Sequence, residues 1–304
     1  MAPKRSAGRG KAGEAGGDDA ETHGWKSSKC TDSHLSGLVD EYLLQPRKEI
    51  HWRRSEGESF PHEGVGESVV FHPHVLRGLG FPVSDFFWGL LHYWGAQVHH
   101  LTPNSILHVS IFVHLCEAFL GIEPHFDLFQ YFFHLKPHPN DSKIEVVRGA
   151  GLQFCQGKKP KYIPYELSDK VVDWKEMWFY VRNLSSSLPL RTPEPPVKKP
   201  SWNSRGGRVD QVNFLLGEIE RLKADHQITG TSVIAHWSKR RVQPLQQRVH
   251  LNFQFTGETD PTHFSQSKIS EGDLKDRVTR LLKNIAGVFS ADKRPREVLL
   301  RVAD

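Results

Sequence analysis

Cysteine, methionine and long apolar runs are scarce in this chain, and each scarcity narrows what it can be. The 304 residues hold three cysteines, Cys30, Cys116 and Cys155, and two methionines. An odd, widely spaced cysteine set fits neither a disulfide framework nor a zinc-ligand pair, so a reducing compartment is the default. His, Glu and Pro interrupt the longest apolar regions before they reach membrane-spanning length. The opening MAPKRSAGRGKAGEAGGDDAE carries cations with no apolar run behind them, which excludes a secretory signal. The expectation is an intracellular protein of nucleus or cytoplasm, neither secreted nor held in a membrane.

Catalytic signatures are absent as well. The sequence has no GxSxG elbow, no GxxxxGK[ST] loop, no HExxH and no CxxC. It has no Asp-Asp pair flanked by strand residues, as a reverse transcriptase would show, and no Asp-Thr-Gly or Asp-Ser-Gly, as a retroviral-type protease would show. The carboxylates that could hold two metal ions, Asp85, Glu117, Asp127 and Glu145, are scattered, and most sit where a helix start explains them. Ten of the eighteen histidines fall between His72 and His138. The nearest approach to a metal set among them is His114, Cys116, Glu117 and His125; the competing reading is that these histidines line helix edges and satisfy local hydrogen bonds. No catalytic residue, metal ligand, cofactor or small-molecule substrate is assigned.

What is present is a core. Hydrophobic residues make up 38% of the chain, with eight Trp and eighteen Phe, too much apolar surface for a chain that never folds. The stretch from Thr102 to Pro139 is its densest part. Thr102 can cap a helix, Pro103 suits the first helical position, and Gly121 suits a left-handed stop. Ser84 and Asp85 begin another helix that Gly95 ends, with Gly89 inside it suggesting close packing. Thr31 or Ser33 starts a helix with Leu35, Leu38, Val39, Tyr42 and Leu43 on one face. Val69–Phe71 reads as a strand, HPHVLRGLG as a helical turn, and residues 45–67 as a loop. HFDLFQYFFHL after Pro124 reads as a buried helix. KIEVV, GLQFCQ, KYIPYEL and MWFYVRN read as short strands, the last half-buried, with Trp174, Trp178, Phe179 and Tyr180 packed on the helices.

These patterns give an α+β fold, mainly α: a helical core with a few short strands. The expected divisions are a disordered tail over 1–30, a core with a small β extension over 31–183, a Pro/Ser/Gly-rich linker over 184–208, and a helical region over 209–304. In the last region Val209, Val212, Leu216, Ile219 and Leu222 form one helical face. TGTSVIAHWSKRRVQPLQ gives a second helix, and Asp273 starts a third with Leu274, Val278, Leu281 and Ile285.

Net charge is +5, which permits nucleic-acid contact without demanding it. The strongest basic cluster is Lys239, Arg240 and Arg241 with Arg248 nearby, beside Trp237, Phe253 and Phe255. Such cations can displace counterions from phosphates and such aromatics can stack on bases. The competing reading is that they complement a helix dipole and that the aromatics are core. Lys4, Arg5, Arg9 and Lys11 form a weaker cationic arm of a solvated tail.

The strings SDFFWGLLHYWG, HLTPNSILHVSIFVHLCEAFLGIEPHFDLFQYFFHLKP, MWFYVRN and SKRRVQPLQQRVH, spread over about 31–260, closely resemble plant proteins with the gypsy-type transposon (transposase-like) domain. That resemblance implies a retroelement-derived protein and carries over no catalytic residue. No zinc knuckle supports a nucleocapsid role. The reading is therefore a non-enzymatic component, either structural (gag-like) or nucleic-acid-associated, with nucleic acid or further copies of itself as partners. The alternatives are an element-encoded nuclease or transposase with an unrecognised metal site, and a host-recruited protein-interaction module.

Overall fold

Most of the described helices begin where the sequence supplies a cap. The computed structural model describes residues 24–138, 146–163, 165, 167, 171–182, 196–203, 207–242 and 270–286. Within them the chain forms α1 (Asp32–Asp40), β1 (Trp52–Arg54), β2 (Glu67–Phe71), α2 (His72–Leu76), α3 (Asp85–Trp94), α4 (Pro103–His114), α5 (Phe126–Phe132), β3 (Phe133–Pro137), β4 (Ala150–Phe154), β5 (Trp178–Arg182), α6 (Val209–Asp225), α7 (Gly230–Arg241) and α8 (Glu271–Ala286). The fold is α+β and mainly α. Ser84 accepts from the Phe87 amide at the start of α3, and Gly95 ends that helix in the left-handed region at φ 61°. Thr102 caps α4 through the Ser105 amide, and a π-helical turn, Leu115–Leu120, continues it to the left-handed Gly121. Pro103–Leu120 is long and apolar enough by composition to cross a membrane, and 67% of that window is buried inside the protein.

Burial is nearly all-round on α4. Ile106, Leu107, Val109, Ile111, Phe112 and Val113 are buried, so neighbours must cover every side. β4 covers one side and α2 and α7 cover others. Phe86, Phe112 and Phe129 meet edge to face or stacked, tying α3 and α5 to α4.

Two small antiparallel sheets flank the helices. In the first, β5 lies between β1 and β2, with Trp52 opposite Val181 and Val70 opposite Phe179. One face of this sheet, with Val70, Phe179 and Val181, joins the main core. The other face packs Val69, Phe71, Trp178 and Tyr180 with Trp25, Val147 and Trp174. β5 is thus buried on both faces rather than half-buried, because residues 24–30 and 171–177 cover its second side. The second sheet pairs β3 with β4, with Leu135 opposite Leu152.

Several expectations change. The helix after Pro124 stops at Phe132, and FHLKP becomes β3, where its backbone finds partners in β4. The 45–67 loop contains β1. KYIPYEL forms only a 3-10 turn at Lys159–Lys161 among the described residues, and Val146–Val147 lie in a turn, so KIEVV adds no described strand. A Cβ at Gly89 would meet nothing within 4 Å, so no close packing explains that glycine. Residues 1–23 lie outside the described residues; of the expected tail, Trp25 is buried, Trp178 Nε1 donates to the Lys26 carbonyl at 2.7 Å, and Ser28 Oγ donates to the Trp178 carbonyl.

The expected linker also holds an anchor. Trp202 is 1% exposed, and its Nε1 donates to the Trp94 carbonyl at 2.8 Å. Ser201 Oγ donates to the Tyr93 carbonyl alongside. Beyond it, α6 turns Val212, Leu215, Ile219 and Leu222 inward, leaving Val209 exposed and Leu216 only partly buried. Residues of α6, α7 and α8 belong to the same apolar cluster as Leu35 and Phe112, so these three helices pack on the core. α8 begins two residues before Asp273 and buries Val278, Leu281 and Leu282.

Trp202→Ala should lower stability by about 3–5 kcal/mol in urea unfolding; a loss under about 0.5 kcal/mol would mean that the segment is only a tether. Gly89→Ala should raise stability by up to about 1 kcal/mol in the same assay, because nothing opposes the added methyl and the helix gains propensity; a loss would show that the α3 backbone needs the glycine.

Candidate functional site

The basic cluster at the end of α7 does not form one cationic surface. Val233, Trp237 and Arg241 are four residues apart and share the face that turns inward; all three are buried, and Arg241 is 1% exposed. A guanidinium Nη of Arg241 donates to the Val75 carbonyl at 3.0 Å, joining α7 to α2. Burial pulls its pKa down to about 10 and lowers that of Arg240 too. Lys239 and Arg240 are partly exposed. Arg248, Phe253 and Phe255 lie outside the described residues. The i, i+4 spacing of Trp237 and Arg241 was the signal that this arginine shares the apolar stripe.

The histidines and carboxylates also disperse. His114 Nε2 lies 2.9 Å from His236 Nδ1, away from the set proposed with Cys116 and His125. His125 instead caps α5 by accepting from the Leu128 amide and reaches Gln211 Oε1 at 3.1 Å. Asp85 and Asp127 sit in the first turns of α3 and α5, Glu117 is buried in the π turn, and Glu145 lies outside the described residues. Among the described residues no three His, Cys, Asp or Glu side chains converge to hold a metal ion.

A cleft of about 790 Å³ opens elsewhere, between the amino end of α4, β4 and a wall of Lys159, Tyr165, Leu167, Val171, Val172 and Trp174. The cleft is fixed from the α4 side. Ser105 Oγ accepts from the Leu152 amide at 2.9 Å and shares a second hydrogen bond with Thr102 Oγ1 at 2.8 Å, so the helix start and β4 move as one unit. Asn104 Oδ1 accepts from Arg77 Nε at 3.4 Å. The helix presents its positive end to the opening.

The charged and titratable side chains on the described cleft wall are Arg148, Lys159, His108, His138 and Tyr165; among the described residues no carboxylate lines it. Arg148 and Lys159 are exposed. Arg148 holds a left-handed backbone at φ 71° while its amide donates to the His99 carbonyl at 3.0 Å. His108 Nδ1 and the Tyr165 hydroxyl share a hydrogen bond of 2.8 Å. Burial first, and the charge of Lys159 second, bring the His108 pKa down to about 4, so this imidazole is neutral at pH 7. Burial pushes the Tyr165 phenol up, so it too stays neutral. His138 lies over Gly151, where a Cβ would come within 2.6 Å of its Nε2, so any larger residue there would push the imidazole aside. Phe154, Tyr165 and Trp174 supply the aromatic wall.

Sequence reasoning missed Arg148 and Lys159 because they fall between the segments read as strands, and it weighed His138 only as one of the clustered histidines. The signal was the run Lys158-Lys159-Pro160-Lys161, in which Lys158 Nζ sits 4.2 Å from the Tyr131 ring centre and donates to its hydroxyl at 3.1 Å.

Residues 69–137 match the family model described as "Putative gypsy type transposon". That partial match makes the segment from β2 to β3, which includes α4 and the helix start at the cleft, similar to a gypsy-type transposon domain. MWFYVRN and SKRRVQPLQQRVH lie outside the matched residues. No curated protein matches the chain, and no solved structure does.

Arg241→Ala should lower stability by about 2 kcal/mol or more in urea unfolding, since it empties a packed site and removes a buried charge-assisted hydrogen bond. Lys239→Ala should stay within about 0.5 kcal/mol. Equal, small effects from both would return Arg241 to the surface.

Proposed function

We propose that this protein is a non-enzymatic, nucleic-acid-associated component derived from a transposable element. The observation that carries the reading is the cleft at the start of α4: two exposed cations, a helix amino end and aromatic walls, with no carboxylate on the described lining. Phosphates favour such a surface, because each neutralised phosphate releases condensed counterions. Helix amino ends suit anions through the positive end of the dipole. Aromatic rings accept bases of any sequence by stacking. The net charge of +5 adds attraction at long range, and the transposon-related domain contributes the amino end of the cleft.

The test is binding of the purified chain to labelled DNA and RNA, each single- and double-stranded, across a salt series. Affinity should fall steeply with salt and should drop when Lys159 and Arg148 are neutralised. Binding no tighter than that of an unrelated protein of equal net charge would end the reading.

A further inference from the structure

Resting on the reading above, we propose that the cleft takes single-stranded nucleic acid, whose sugar–phosphate backbone leaves the cleft along the outer face of the β3–β4 ribbon toward Lys198. The ribbon register makes this path. His134 pairs with Gln153 and Lys136 with Gly151, so these four residues share one face, while Leu135 and Leu152 share the other. Gly151 and Gln153 of this face line the cleft, as do Leu152 and Phe154 of the opposite face, so the cleft lies along β4 and the outer face of the ribbon runs on from it.

Along this face, His134 and Lys136 are half-buried and stand two residues apart, roughly 7 Å along the strand. The side-chain-free Gly151 opposite Lys136 keeps the surface low beneath His138. Lys198 is exposed and close enough that its charge, after burial and Lys136, helps hold the His134 pKa below the usual histidine range. Arg148, Lys159, Lys136 and Lys198 form no ion pair among the described residues. Cations left unneutralised along one continuous surface suit an extended polyanion.

The size of the cleft selects the strand state. About 790 Å³ falls within the roughly 300–1,000 Å³ that hold a small molecule, the scale of a nucleotide or two. A duplex turns its phosphates outward and keeps its bases stacked, so it could reach Lys159 and Arg148 but not the half-buried ring of Phe154 inside. An unpaired strand can place a base against that ring and its phosphates on the cations.

The experiment compares a labelled single strand with a duplex of equal length on the full chain and three double variants. Lys136→Glu with Lys198→Glu tests the ribbon. Lys159→Glu with Arg148→Asn tests the cleft, asparagine being tolerant of the left-handed backbone. Lys275→Glu with Lys283→Glu on α8 controls for net charge. The single strand should bind at least tenfold tighter than the duplex. The ribbon and cleft variants should each lose at least tenfold, with the salt dependence flattened by about 1.4 in slope for two lost phosphates; the α8 variant should lose far less. Thermal melts confirm that each variant is folded, and Lys198→Glu alone, at an exposed site, repeats the ribbon test if the pair is not. Duplex binding equal to or tighter than single-strand binding, or a ribbon variant no weaker than the α8 control, overturns this inference and leaves nucleic-acid association standing. A wild-type chain that binds neither probe overturns both.

Discussion

A helix that is apolar on every side cannot rest against a single neighbour, and α4 imposes that constraint on the whole protein. Pro103–Leu120 must be surrounded, and no contiguous segment of the chain is large enough to do it. α2 and α3 come from before it, α5 and β4 from just after, and α7 from more than a hundred residues later. The recruitment of α7 carries Arg241 inward to the Val75 carbonyl. The same demand explains why the Pro-rich stretch before α6 is pinned at Trp202: a chain that must return to cover a central helix gains from being held along the way.

The cleft follows from the amino end of α4, where Thr102 and Asn104 are left only partly covered. Thr102 and Ser105 are committed to each other and to the Leu152 amide, so the helix start is rigid while its dipole faces outward. β4 brings Gly151 beside it, and the left-handed turn at Arg148 swings a cation to the rim. The neutral His108–Tyr165 pair forms part of the wall without adding a charge of either sign. Position, rather than unusual chemistry in any one residue, gives the surface its character.

Much of this was legible in the sequence wherever the information was local. Caps and stops such as Ser84, Gly95, Thr102 and Gly121 act through their own backbone neighbours, and the helices they bound appear as expected. The strand at β5 was legible from its β-branched and aromatic content. What was hidden depended on distant partners. FHLKP is as apolar as the helix before it and becomes a strand only because β4 offers it a ladder. Trp202 looks like part of a tether until the Trp94 carbonyl is known to wait for it. Arg241 looks like one of three surface cations until α2 is seen across from it. The cleft was hidden for the same reason: His108, His138, Arg148 and Lys159 sit far apart along the chain, His108 inside the expected helix and the others between the segments read as helix or strand, and only the packing of β4 on α4 brings them to one opening.

The first and last described helices also touch. Arg280 of α8 pairs with Glu41 at the end of α1, with Nε 2.8 Å from Oε1, and Arg277 donates to the Asp40 carbonyl while lying over the Tyr42 ring. A chain synthesised from its amino end therefore cannot close its core until about 280 residues have left the ribosome. α4 itself keeps one flank open until α7 has emerged. Such a topology is slow to fold and exposes apolar surface for the whole time of synthesis. Production of this protein in a cell should accordingly depend on chaperone capacity more than its size alone suggests, and translation stopped short of α8 should yield chains that aggregate rather than fold.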